Sequence, residues 1–484
     1  MNGLASPPPC QIDYREWHRL FLTIPPDLVE STRYYQHLPD AAWSQYLFPP
    51  SSYAVYGSRL LRKLKFDNSL SALRLWGFAL SEGERIYRAR QAGMRVVAVM
   101  GDLGAVTPLI YSFPNVVAFY PDCLWWTPFL MESRILFDEA GKYGLGEDCC
   151  FVRAALGAFS KQAYFPCPDL CLGTVGATCD DMAALMGEVE RLGHDIHYFE
   201  LPHRSDNPVD RERLIGFLAG QYADLCVKLE RTLSCRFNPK AFKRTVEKIN
   251  RLRGGIADLK RLVAGAERNP MGAAEMMNIE FAALSYYGDL DECLTVLEDL
   301  RDTVRRRVEY GEGYEGQELR LMWITPPADP LLLNYAEELG GRVVGSEYVI
   351  NQSKPQINTV GEPFRSLAEA HVEGSLMGTT GFRTQLALRE AKACRAEGAI
   401  ISGVFGSTHC PYETAPIINA FRAEGFPTLA FNVVTPGKIR MQSQIYNRLE
   451  AFLEALRARR SSGNAENRLV MASEANQSHE TSDL

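Results

Sequence analysis

Two hydrophobic patterns alternate along the chain. Short unbroken apolar runs, Val96-Val97-Ala98-Val99-Met100 and Val116-Val117-Ala118-Phe119-Tyr120, stop at a glycine or a turn residue. Runs of that kind read as parallel strands buried on both faces. Stretches with apolar residues at helical spacing lie between and after them: Trp125 to Phe137, and Phe151 to Phe159. Asp169-Leu170-Cys171-Leu172-Gly173 reads as a third strand and Ile196 to Leu201 as a fourth, closed by Pro202. The segment after Cys179 gives the plainest helix of this half. Thr178 is the expected N-cap and Asp181 completes a capping-box pattern. Met182, Leu185, Met186, Val189 and Leu192 share one face, and Gly193 ends the helix.

From Arg211 to Glu309 the pattern is helical and heavily charged, as in Phe242-Lys243-Arg244-Thr245-Val246-Glu247-Lys248-Ile249. The glycine- and acid-rich Gly311 to Gly316 reads as a linker. A second strand–helix rhythm follows: a strand at Leu319 to Ile324, a helix at Leu331 to Leu339, and a strand at Arg342-Val343-Val344. Residues 347–375 read as a long polar irregular stretch, a length often functional in a compact domain. Then come a helix over Phe382 to Glu397, a strand at Ala399 to Val404, and a helix from Cys410 to Glu424. Thr428 to Phe431 is the last strand. The final helix carries Ile445, Leu449, Phe452, Leu453 and Leu456 on one face.

Strands alternating with helices predict mostly parallel sheets covered on both faces. The expected fold is α/β: two doubly wound, flavodoxin-like lobes joined by a helical connector. The expected divisions are an N-terminal arm with helices (1–90), a first lobe (91–210), the connector (211–316), a second lobe (317–460) and a tail (461–484). Residues 1 to about 50 are rich in proline and aromatics, which predicts an irregular arm with short helices. The Ser-, Asn- and Glu-rich tail predicts disorder.

Composition narrows the function. The chain has 484 residues and a net charge of −7, which lacks the basic footprint of a general nucleic-acid binder. No apolar run approaches the roughly 20 residues of a membrane helix. Met1 to Cys10 shows no secretory pattern, so a cytoplasmic protein is expected. Its 12 cysteines then do not read as a disulfide framework, and no CxxC pair supports a zinc ribbon or a thioredoxin-type motif.

Two cysteines stand at equivalent places. Cys179 and Cys410 each follow a strand-ending loop and open a predicted helix, one in each lobe. Ligands of open α/β sheets bind outside the carboxyl ends of strands. Free N–H groups and the dipole at a helix start favour a thiolate or an anionic cluster. Cys149-Cys150 also precedes a predicted helix, and one of the two is expected to face the same cleft. Three thiolates from two lobes could hold an iron–sulfur cluster with one iron open to substrate. A lone cysteine at a strand end is more often a small buried residue. Cys171 and Cys167 are expected in the core; Cys10, Cys123, Cys226, Cys235, Cys293 and Cys394 are expected to be structural.

Three segments carry a resemblance: Gly146-Glu147-Asp148-Cys149-Cys150-Phe151-Val152-Arg153; Pro168 to Cys171 continuing through Thr178-Cys179-Asp180-Asp181; and Ser407-Thr408-His409-Cys410. With the closing Arg448 to Glu454, they resemble the cysteine motifs of the 2-hydroxyacyl-CoA dehydratase and benzoyl-CoA reductase family, over roughly residues 90–460. The resemblance implies a 4Fe–4S cluster, or the larger double-cubane type known among relatives, held between two α/β domains by Cys150, Cys179 and Cys410. The doubled Cys149-Cys150 leaves the first ligand open. It further implies one-electron reduction of an acyl-CoA thioester or of a conjugated aromatic ring. The implied partners are a related second subunit or a second copy, and an ATP-hydrolysing iron–sulfur activator. The chain itself has no GxxxxGK[ST] phosphate loop.

Nearby groups are weaker candidates. His409 and Glu413 flank Cys410 and could move a proton or support a ligand. Arg153, Lys161, Arg383 and Lys438 could meet CoA phosphates, and Thr325-Pro326-Pro327 could line the cleft. The rival reading is a two-lobed small-molecule binding or regulatory protein without redox chemistry. A catalytic-cysteine enzyme using His409 as base is a third.

Overall fold

The computed structural model describes residues 8–462 apart from 24–62, 102–103, 123–133, 147–148, 163–164, 177–178, 203–204, 206, 326–327, 349–353, 405–406, 408–409 and 434–442. Two four-stranded sheets organise it. The first contains β3 (Arg95–Met100), β4 (Val116–Phe119), β5 (Leu170–Gly176) and β6 (Ile196–Leu201), in the order β4-β3-β5-β6. The second contains β7 (Leu319–Thr325), β8 (Gly341–Tyr348), β9 (Gly398–Val404) and β10 (Thr428–Val433), in the order β8-β7-β9-β10. Every neighbouring pair in both sheets is parallel. Counted within each sheet, the order is second, first, third, fourth both times, the flavodoxin-like order of a doubly wound fold. All eight residues of β8 and all seven of β9 are buried, which explains their lack of an alternating pattern.

Four helices join the sheets: Pro208–Leu233, Pro239–Gly265, Ala273–Ser285 and Leu290–Glu309. Asn207, Asn238 and Asp289 cap three of them through side-chain oxygens, and the first two continue into proline at the first helical position. The helix Ala273–Ser285 is buried along its whole length. One continuous apolar core runs from Val97 and Leu172 of the first sheet, through Ile256 and Leu297 of the connector, to Trp323 and Ile400 of the second.

Several expectations change. Two short strands, β1 (Gln11–Asp13) and β2 (Lys65–Asp67), pair antiparallel near the amino terminus, beside the helix Tyr14–Thr23. Their packing is aromatic: Trp17 stacks on Phe66 at 4.9 Å, and Phe66 meets Trp76 edge-on at 5.3 Å. Three-residue strands are too short to show a period. Residues 347–375 are not irregular throughout. β8 extends to Tyr348, and a helix spans Pro363–Val372, capped by the Glu362 carboxylate on the Phe364 and Arg365 N–H groups. The Glu362-Pro363 pair was the available signal. Cys167 is exposed rather than in the core, whereas Cys171 is buried in β5 as expected. Residues 463–484, expected to be disordered, lie outside the described residues.

Candidate functional site

The carboxyl ends of the two sheets carry the cysteines. In the first lobe β5 ends at Gly176, whose φ of +98° no ordinary residue adopts easily. A Cβ there would stand 2.2 Å from the Leu201 carbonyl oxygen. Cys179 follows and is itself the N-cap of the helix Asp180–Arg191, with extended φ −156° and ψ 117°. The cap therefore sits one residue later than the Thr178 that the capping-box pattern predicts; Thr178 lies outside the described residues. Met182, Leu185, Met186 and Val189 bury the helix against the sheet, and Met186 closes over the bare backbone of Gly173.

Cys150 is buried and Cys149 half-buried. They enter a single 3-10 turn, Phe151–Arg153, before the helix Ala154–Lys161. That turn packs against the helix opened by Cys179, so the two cysteine turns of this lobe are neighbours. Arg153 fixes the first of them. It is buried, donates to the carbonyl oxygens of both Cys149 and Cys150, and lies 4.6 Å from the centre of the Phe137 ring. A guanidinium so placed does not reach out to a phosphate, contrary to the sequence expectation. Lys161 is likewise engaged, 3.4 Å from the Glu139 carboxylate.

In the second lobe Cys410 is the first residue of the helix Cys410–Ala423, after β9. Its side chain, and the whole of His409, lie outside the described residues, as do Lys438, Pro326 and Pro327. Glu413, one turn into the helix, is buried. It accepts from the Thr380 hydroxyl at 3.1 Å and pairs with Arg383. Arg383 also donates to Glu347 Oε2 from Nε at 3.0 Å and from its terminal nitrogen at 2.7 Å. Flanked by two carboxylates, the guanidinium is held well above its ordinary pKa even though burial alone would lower it. Arg383 is thus an internal ion-pair partner and not the CoA-phosphate contact that the sequence suggests. Sequence reasoning missed Glu347, because the expected strand stops at Val344 and Glu347 opens the stretch read as irregular, whereas β8 runs to Tyr348.

The lobes meet through the helix Pro363–Val372, which packs along the connector helix Pro208–Leu233. Tyr222 donates to the Ala105 carbonyl at 3.1 Å and stands 3.1 Å from His371 Nδ1. Phe199 of β6 stacks on the same imidazole. Burial first, and Arg253 second, push the His371 pKa down to about 4, so it is neutral in this contact. At the rim, Arg365 pairs with Glu212 and Arg211 with Glu373. Two cavities, of about 630 and 520 Å³, are lined by other residues, such as Arg268 and Tyr314 in one and Lys260 and Cys394 in the other.

Among the described residues no group of three or more His, Cys, Asp or Glu side chains is gathered for one metal ion. The donor set nonetheless suits a soft iron–sulfur cluster better than a hard cation, because the residues at the two strand-end turns are thiols.

Each of the two like-ordered α/β lobes thus opens a helix with a cysteine after its third strand. A family model described as the 2-hydroxyglutaryl-CoA dehydratase D-component matches residues 119–456, and the chain belongs to that family. No curated protein matches the chain. The match spans the first lobe from the end of β4, the whole connector and the second lobe. No helix among the described residues is long and apolar enough to cross a membrane.

Proposed function

We propose that the chain is the iron–sulfur subunit of a 2-hydroxyacyl-CoA dehydratase or a related acyl-CoA reductase. One observation carries the reading. Cys179 and Cys410 occupy the same topological place, the turn after the third strand, in two sheets of identical order. An open α/β sheet offers its ligand crevice at that edge. Cys150 is the third ligand, brought beside Cys179 by the packing of its turn on the Cys179 helix, with Cys149 the alternative.

A 4Fe–4S cluster bound there would supply one electron at low potential to a thioester carbonyl or a conjugated ring. The protein's own share is binding and placement. Helix starts bring free N–H groups toward an anionic centre. The chain's lack of a phosphate loop fits electrons supplied by a separate ATP-hydrolysing partner, and a second related subunit or a second copy completes the enzyme. Assay of a 2-hydroxyacyl-CoA and of an aromatic acyl-CoA, each with the activator, separates dehydration from ring reduction. Turnover of neither, in a chain shown to hold its cluster, would assign it to electron relay instead.

A further inference from the structure

In the second lobe a buried ion-pair triad reaches the first turn of the cysteine helix. We propose that the buried triad Glu347–Arg383–Glu413 positions the first turn of the Cys410 helix, and that Arg383 is its central positioning residue. The link to a cluster rests on the functional reading above; the positioning itself does not.

Three elements converge on the triad. Glu347 comes from the carboxyl end of β8, Arg383 from the first turn of the helix Thr380–Ala393, and Glu413 from the first turn of the helix Cys410–Ala423. All three residues are at least 95% buried. Arg383 is the shared partner, and the Thr380 hydroxyl adds a second bond to Glu413. A guanidinium's planar fork can serve two carboxylates at fixed angles, which an ammonium cannot do.

The arrangement is poor as a device for stability alone. Two buried carboxylates face one cation, and Glu347 Oε1 is buried without a hydrogen bond. An unmade bond of that kind costs about 1–3 kcal/mol, and buried ion pairs are often outdone by apolar packing. What the triad gives is geometry. The helix it holds is weak at that end, because Pro416 lies inside it and has no N–H to donate to the carbonyl of residue 412. The first turn, with Cys410 at its head, therefore lacks a backbone bond that Glu413 replaces by a side-chain anchor. A carboxylate in the first turn also complements the helix dipole. Cys410 is three residues from Glu413, so a shift of this anchor moves the start of the helix.

The test uses the full chain and four variants: Arg383→Met, Arg383→Lys, Glu413→Gln and Glu347→Gln. The first readout is the rate at which iodoacetamide alkylates Cys410 in the anaerobic apo-protein, measured by peptide mass spectrometry. Cys179 serves as internal control. Arg383→Met is expected to change the Cys410 rate by about fivefold or more and leave Cys179 within about twofold, the change being local. Arg383→Lys is expected to behave like Arg383→Met at Cys410, since charge without the fork does not rebuild the geometry. Should Arg383→Met fail to fold by hydrogen exchange, Glu413→Gln, nearly isosteric and leaving Arg383 with Glu347, gives the same comparison. The second readout is the rate of iron loss to a chelator after anaerobic reconstitution, expected to rise about tenfold or more, as when groups supporting metal ligands are removed. Unchanged Cys410 alkylation in folded Arg383→Met and Glu413→Gln would overturn the proposal, as would full restoration by Arg383→Lys. A wild-type chain that takes up no iron would sink the functional reading, while the alkylation rates would still decide the positioning.

Discussion

Residues such as Arg153 show how far a side chain's neighbours decide its meaning. By sequence it is one more basic residue near a cysteine motif. In the structure it is an internal clamp on two carbonyl groups, beneath an aromatic ring. Replacing it with methionine removes the guanidinium donor from the Cys149 and Cys150 carbonyls, while the backbone N–H of residue 153 still reaches the Cys150 oxygen at 3.2 Å. Urea denaturation should show a loss of about 2–4 kcal/mol, and Arg153→Lys should recover little of it. A loss below about half a kcal/mol, usual for surface changes, would contradict the clamp. A second residue-scale prediction concerns Glu337. It accepts from the Ala273 N–H and from Gln11, and burial pushes its pKa up to about 8. The folded state therefore binds a proton that the unfolded chain releases near its ordinary value of 4.5. Between those values stability falls as pH rises, by the linkage relation. Glu337→Gln keeps a neutral side chain at every pH. Its stability relative to the natural chain should improve steadily from pH 5 to pH 8, on the order of 3 kcal/mol in all. A difference independent of pH would mean that Glu337 is ionised in the fold.

Elements were legible where the pattern was long or the punctuation strong. Unbroken apolar runs gave β3, β4 and β9, and the amphipathic face after Cys179 gave its helix within a residue. Short strands such as β1 and β2 carry too few positions for a period, and the Glu362-Pro363 helix start was hidden in a polar stretch. Boundaries failed where burial covers polar residues, as at Ser346 and Glu347 of β8. The turn between β5 and the Cys179 helix depends on one glycine. Gly176→Ala would place a methyl group against the Leu201 carbonyl in a backbone region that alanine avoids. Thermal unfolding should show a loss of about 2–4 kcal/mol, and the Cys179 turn should exchange its amides faster. A variant as stable as the natural chain would contradict that geometry.

At the scale of the whole molecule, the two sheets repeat one strand order, and the repeat puts Cys179 and Cys410, more than 200 residues apart, at equivalent places. The sequence showed two strand–helix rhythms, each with a cysteine at a strand end. The flavodoxin-like order was expected from that alternation and both sheets show it, whereas the register of each pairing, a long-range choice, was not legible. Nor was the contact that joins the lobes. Tyr222 and His371 look unremarkable in the chain, yet they meet across the junction and seat the second lobe against the first. Cys179 and Cys410 can serve one cluster only through such a junction.

The most direct test of that claim is iron and sulfide analysis after anaerobic reconstitution of the natural chain and of Cys179→Ala and Cys410→Ala. The account predicts about four irons per chain for a single cubane, with the loss of most of the iron in each variant. A natural chain without iron, or full iron in both variants, would contradict it.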